Sequence, residues 1–197
     1  MFADASKQAY AAAVYARIPE EDRFVTHLLF SKAKITKLTA NYTIPQLELL
    51  AAVIAARAIQ YVTIAFEFTP VIRRILWSDS RCVLTWLNTT KILPTFISNR
   101  IADIKKIENL EFRHVLNPAD APSRGLTITE LQNSIFSHGP LFLQLQPTHW
   151  PPPSFLVTHS LLKTLHHNIQ FFSAVRTPRI IKALGHSFWN AVPLTPN

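Results

Sequence analysis

The segment from residue 43 to residue 62 constrains this chain more than any other. Thr43-Ile44-Pro45-Gln46 has the form of a capping box, with proline in the first helical turn, where its missing N–H costs nothing. Residues 47–62 then continue as a helix that is apolar nearly all round, with Glu48 its sole acid. A helix of that kind is buried, and it needs a sheet to bury against. A lone carboxylate in such a helix must find a partner or solvent, because burying an unpaired charge is expensive.

Strands for that sheet are legible on both sides of the helix. Residues 2–5 (FADA) read as the end of a strand, residues 9–17 as a second and residues 24–35 as a third. Residues 19–23 (PEEDR) form a polar turn between the last two, so the three strands make an antiparallel meander. After the helix, residues 73–79 (RRILWSD) have the pattern of a buried strand, and residues 80–88 that of a short helix. Residues 94–107 give a further amphipathic helix, with Lys105 and Lys106 placed where the macrodipole favours cations. Residues 112–116 give a last strand, and Asn117-Pro118 opens a loop or helix. Three strands, a helix, a strand, two helices, a strand and a helix make a mixed α/β order.

Beyond about Gln146 the texture changes. Residues 147–197 hold 7 of the 14 prolines and five of the 8 histidines. We therefore expect a folded domain over 1–145 and a basic, Pro/His-rich, partly ordered tail over 146–197. Trp150-Pro151-Pro152-Pro153 would be a stiff linker, and residues 155–175 one apolar, basic helix.

Charge narrows the partners. The formal net charge is +8, and all 12 acids lie at or before Glu130. A basic chain favours an acidic partner, and nucleic acid is the commonest, because neutralising phosphates releases counterions. The single cysteine, Cys82, excludes an internal disulfide framework and a cysteine-paired zinc site. The N-terminus has no basic stretch or apolar core of a secretory signal. The longest apolar run, near residues 49–56, is too short to span a bilayer. An intracellular protein, cytoplasmic or nuclear and without a membrane partner, is the expectation.

Four acids stand out by position. Asp4 ends a strand, Glu48 lies one turn inside the apolar helix, Asp79 ends the buried strand, and Asp120 follows Asn-Pro-Ala after the last strand. Each has a structural reading. Asp4 can be an ordinary terminal acid, Asp79 can cap the helix starting at Ser80, and Asp120 can sit in a helical first turn. Glu48 is the hardest to explain that way. A shared site would make chemical sense, since Mg²⁺ or Mn²⁺ takes oxygen ligands and binds phosphate oxygens. Two such ions about 3.5–4 Å apart can hold an attacking water and a leaving oxygen, and they relieve the repulsion among the carboxylates. No Ser or Cys nucleophile is needed, so Cys82 reads as a helix core residue.

Ordered motifs run along the chain. They are Phe-Ala-Asp-Ala-Ser (2–6), Phe-Ser-Lys-Ala-Lys (30–34), Thr-Ile-Pro-Gln-Leu-Glu-Leu (43–49) and Leu-Trp-Ser-Asp-Ser (76–80). Asn-Arg-Ile-Ala-Asp-Ile (99–104), Arg-His-Val (113–115), Asn-Pro-Ala-Asp (117–120), Ser-Arg-Gly-Leu (123–126) and His-Gly-Pro (138–140) follow. This series resembles the ribonuclease H region of BEL/Pao retrotransposon polyproteins over residues 2 to about 145. The resemblance implies a ribonuclease H-like five-stranded mixed sheet flanked by helices. It also implies two-metal hydrolysis of the RNA strand of RNA–DNA hybrids, in a polyprotein whose reverse transcriptase lies upstream. The family's carboxylates fall on Asp4, Glu48, Asp79 and Asp120. Only Leu116 stands between His114-Val115 and Asn117, where the family has about three more residues, and Pro122 replaces a small helix former. The tail resembles the connection toward an integrase, so this chain is expected to be a polyprotein fragment.

Two other readings compete. One is a non-catalytic nucleic-acid-binding remnant that uses the basic surface alone. The other is an integrase or transposase core, in which the catalytic Glu comes last in the chain; here Glu48 falls between Asp4 and Asp79.

Overall fold

The computed structural model describes residues 1–21, 23–37, 39, 41–65, 73–115, 127, 129–130 and 134–152. Five strands and three main helices follow the expected order: β1 (Phe2–Ala5), β2 (Ala9–Glu20), β3 (Arg23–Ile35), α1 (Ile44–Ala65), β4 (Arg74–Ser78), α2 (Arg81–Asn88), α3 (Thr95–Lys105) and β5 (Leu110–His114). The sheet runs β3-β2-β1-β4-β5. β1 to β3 are antiparallel, while β1–β4 and β4–β5 are parallel. It is the five-stranded mixed sheet expected from the motifs.

The helix that most constrained the sequence reading forms as its signals dictate. Thr43 donates its N–H to Gln46 Oε1 at 2.9 Å, and Gln46 returns its own N–H to Thr43 Oγ1 at 3.4 Å. These are the two reciprocal bonds of a capping box. The helix then extends for 22 residues, long and apolar enough to cross a membrane. Length therefore does not exclude a span, as the shorter run 49–56 had suggested, although 50% of the apolar window is buried inside the domain. Leu47, Leu49, Ala51, Ala52, Val53, Ala55, Ala56, Ala58 and Val62 are buried in the domain, and α1 lies on β1 and β2. The strands offer small side chains in return: Ala3 and Ala12, paired across β1 and β2, share one face of the sheet and are both buried. Small residues on both partners let the backbones approach closely, so the interface tolerates little added volume.

Two boundaries differ from expectation for identifiable reasons. β2 runs through Pro19 to Glu20, which pairs with Arg23, so the strands extend into the expected polar turn over 19–23. β1 reaches only as far as Ala13 on β2, so Pro19 lies where β2 has one neighbour and its missing N–H breaks no ladder bond. Glu21, at φ 38°, supplies the left-handed backbone that a two-residue hairpin turn demands. The last strand starts at Leu110, two residues earlier than its apolar pattern suggested, after a left-handed Asn109 at φ 55°.

β1 is short but central. Its ladder with β4 begins at the first residue: the Met1 amine donates to Ile75 O at 2.8 Å, and Trp77 donates its N–H to Met1 O at 2.9 Å. Side chains alternate across a strand. Phe2 stacks on Trp77 with ring centroids 6.2 Å apart and an interplanar angle of 11°. That face is covered by the chain after Ser134, a helical turn (Ile135–His138) followed by two 3-10 turns (Leu141–Gln144 and Pro147–His149). Phe142 and Trp150 meet Trp77 edge-on, at 5.0 and 5.8 Å.

This strap is held by side chains from the hairpin. Tyr15 Oη donates to Phe136 O at 2.5 Å and Thr26 Oγ1 to His138 O at 2.6 Å. Arg17 donates from Nε to Leu143 O at 2.6 Å and from Nη2 to Leu145 O at 2.8 Å. Gly139, at φ 73°, makes the turn between helix and strap; a Cβ there would stand 3.3 Å from the Tyr15 ring. Trp150, the first residue of the expected linker, is thus buried against the sheet. Of the expected tail, residues 153–197 lie outside the described residues, as does the expected helix over 155–175.

Candidate metal centre at the ends of two parallel strands

The carboxyl ends of β1 and β4 are where the chain diverges. β1 turns back antiparallel into β2, while β4 runs on into α2. Divergence of this kind opens a crevice at the strand ends of a sheet with parallel strands.

Three of the four sequence-nominated acids stand at that crevice. Asp4 lies on β1, level with Ala11 of β2, and is 6% exposed. Asp79 follows the last residue of β4 directly. Glu48 comes from the second turn of α1, which packs on β1 and also touches β4 and α2. The parallel register pairs Phe2 with Trp77, which brings Asp4 and Asp79 to the same level of the sheet. Asp120 lies outside the described residues.

Electrostatics show that the three share one environment. Burial pushes the Glu48 carboxyl above its ordinary value, the Ser80 hydroxyl pulls it down, and the negative charges of Asp79 and then Asp4 raise it again. Asp79 Oδ1 is buried and has no hydrogen-bond partner among the described residues. A buried carboxylate oxygen left without a donor is costly, and a cation is the usual remedy. Among the described residues, no three His, Cys, Asp or Glu side chains are yet drawn in closely enough to hold one ion between them. The donor set is entirely oxygen, the set that suits Mg²⁺ or Mn²⁺ rather than zinc.

Ser80 is the residue that sequence reasoning missed. The structural reading had Asp79 capping the helix from Ser80, but the helix starts at Arg81 and Ser80 is its N-cap, accepting the Val83 N–H at 3.2 Å. The same hydroxyl donates to Glu48 Oε2, and its backbone N–H is held by Ser78 Oγ at 3.1 Å. Capping thus falls to serine, which leaves both Asp79 oxygens free of that duty. The available signal was the Asp-Ser pair at a strand-to-helix junction, where either residue can cap.

Comparison with known proteins agrees with the motifs. Residues 1–80 match the family model of the Pao retrotransposon-like RNaseH-like domain. That stretch contains Asp4, Glu48 and Asp79. Among solved structures, an RNase H1 from the halophilic archaeon Halobacterium salinarum NRC-1 is similar at 15% identity with a TM-score of 0.36, over 58% of this chain and 82% of that one. No curated protein matches the chain.

Proposed function

We propose, from the match of residues 1–80 to the Pao retrotransposon-like RNaseH-like domain, that this chain is a divalent-metal-dependent nuclease cutting the RNA strand of RNA–DNA hybrids. The observation that carries this reading is the electrostatic coupling of Glu48 to Asp79 and Asp4 beside a buried Asp79 oxygen with no hydrogen-bond partner among the described residues. Asp4, Glu48 and Asp79 would hold the metal pair, with Asp120 as a fourth ligand. Two Mg²⁺ or Mn²⁺ ions at such a site supply an activated water and neutralise the charge on the leaving oxygen.

The protein's own contribution is placement. β1 and β4 fix Asp4 and Asp79 on adjacent parallel strands, so their separation is set by the sheet and not by loops. Ser80 donates to one Glu48 oxygen, which ties that carboxylate to the junction between β4 and α2. The shared repulsion keeps the group ready to gain from binding a cation. The upstream reverse transcriptase of a retroelement polyprotein would supply the hybrid.

The test is cutting of a labelled RNA–DNA hybrid by the purified chain with Mg²⁺ or Mn²⁺, beside Asp79→Asn. Cutting that needs the metal and disappears in the variant supports the reading. A wild-type chain that leaves the hybrid intact with either metal would falsify it. Hybrid binding indifferent to Asp79→Asn, without cutting, would instead support the reading as a non-catalytic nucleic-acid binder.

A further inference from the structure

On the sheet face covered by the strap, three arginines converge on one ring, Arg17 and Arg73 from the end away from the carboxylates and Arg113 from the level of Trp77. Arg17 comes from β2, Arg73 immediately precedes β4, and Arg113 comes from β5. Their guanidinium carbons stand 5.2, 5.6 and 5.6 Å from the centre of Trp150. Arg17 also lies 3.2 Å over Phe24, and Arg113 lies 5.5 Å over Trp77.

Among the described residues, one acid serves the group. Glu111 takes Arg73 in a bidentate pair, at 2.6 and 2.9 Å, and Arg113 at 3.4 Å. Three positive charges against one negative leave an excess of two. Arg17 gives two donor atoms to strap carbonyls and Arg73 gives two to Glu111, while only Nη2 of Arg113 is engaged, and weakly, among the described residues. Burial and the neighbouring Arg73 both disfavour the charges on Arg17 and Arg113. Cations gathered this closely are stabilised by an anion, and the guanidinium fork fits phosphate oxygens in particular. Arg73 keeps 45% of its side chain exposed, so the site is open from that side.

We propose that Arg17, Arg73 and Arg113, carried on Trp150, form a phosphate-binding site that grips a nucleic-acid backbone away from the carboxylates. Arg73 and Asp79 flank β4 and lie six positions apart, about 20 Å at 3.3 Å per residue. That distance equals about six nucleotides of one duplex strand at 3.4 Å each. A hybrid cut at the carboxylates is therefore long enough to reach the arginines. The extent to which the two sites act on one substrate rests on the nuclease reading above; the arginine site itself does not.

Binding of a fluorescein-labelled RNA–DNA hybrid to the full chain in EDTA, followed by anisotropy across a salt series, separates the two. Arg73→Gln should weaken binding by about three- to tenfold and reduce the slope against log salt by about one. Arg113→Gln should act in the same direction. Glu111→Gln should tighten binding, because it removes the charge that pairs with Arg73 and Arg113. Arg57→Gln, an exposed arginine on α1 paired with Asp103, is the control for general charge and should change little.

The site is overturned if Arg73→Gln binds as the wild type does, or if Arg57→Gln weakens binding equally. An acidic polyglutamate peptide that binds as tightly as the hybrid would also overturn it. Should Arg113→Gln fail to fold, the exposed Arg73 carries the test alone. Metal-dependent cutting lost in Asp79→Asn but unmatched by any Arg73→Gln binding defect would leave the nuclease standing and remove the arginine site. Weakened binding in Arg73→Gln by a chain that never cuts would do the reverse.

Discussion

The Ser80 hydroxyl caps α2 through Val83 and at the same time donates to Glu48 Oε2, tying the start of one helix to the only acid of another. Losing that hydroxyl should therefore do two separable things. Ser80→Ala removes an N-cap, worth about 1 kcal/mol of stability. It also removes the one influence that lowers the Glu48 pKa, so Glu48 should ionise at still higher pH. Ser80→Thr keeps the oxygen and should restore both. Thermal denaturation reads the first effect, and the pH dependence of Mg²⁺ binding reads the second. A Ser80→Ala chain that loses stability but keeps the wild-type pH profile would show that the serine only caps.

Glu48 also sets a stability profile with pH in metal-free protein. Its folded pKa is raised above the ordinary value of 4.5, first by burial, so the fold holds the proton more tightly than the unfolded chain does. The stabilising contribution of protonated Glu48 is fully present below about pH 4.5 and is lost as pH rises through the folded pKa. Glu48→Gln should consequently melt above the wild type at neutral pH in EDTA, and the difference should shrink on acidification. Each kcal/mol recovered appears as about 2–4 °C for a chain of this size. Saturating Mg²⁺ should reverse the order by stabilising the wild type through mass action. A Glu48→Gln variant less stable than the wild type in EDTA at pH 7 contradicts this account.

The alanine interface between α1 and the sheet makes a third prediction. Ala52 and Ala55 are fully buried on a helix that packs on β1 and β2. Ala55→Leu adds three carbons at a fully buried position, which should cost about 1–3 kcal/mol by overpacking. Glycine there costs about 1 kcal/mol for another reason, helix propensity. Denaturant midpoints of the two variants, with unchanged slopes, check the pair.

How much of this was legible in the sequence follows from the range of each signal. The capping box, the buried helix and the order of strands and helices depend on neighbours within a few residues, and they formed as read. Asp4, Glu48 and Asp79 were nominated by position, and the parallel register of β1 and β4 places two of them level. Ser80 was hidden because a serine before a helix is already explained by capping; nothing local says that its proton goes to a residue 32 positions away. The arginine cluster was hidden for the same reason, since Arg17, Arg73 and Arg113 meet only after β2, β4 and β5 are assembled. Trp150 misled, because three following prolines give it the local texture of a linker while its burial depends on Trp77.

Trp150 makes the last prediction, on where the folded unit ends. Its ring packs edge-on to Trp77 at 5.8 Å, its Nε1 donates to Leu145 O at 3.1 Å, and Arg17 spans both the ring and the carbonyls before it. Truncating a buried aromatic side chain to alanine costs about 3–5 kcal/mol, because a cavity remains and the strap loses its anchor. A chain ending at residue 152 should thus melt well above one ending at 145, although the seven residues removed include three prolines and no strand. Trp150→Ala in the longer chain should reproduce most of the loss, and Trp150→Phe should recover part of it. Equal melting temperatures for the two truncations would mean that the strap contributes cover without stability, and that the Phe2–Trp77 stack closes the sheet face by itself.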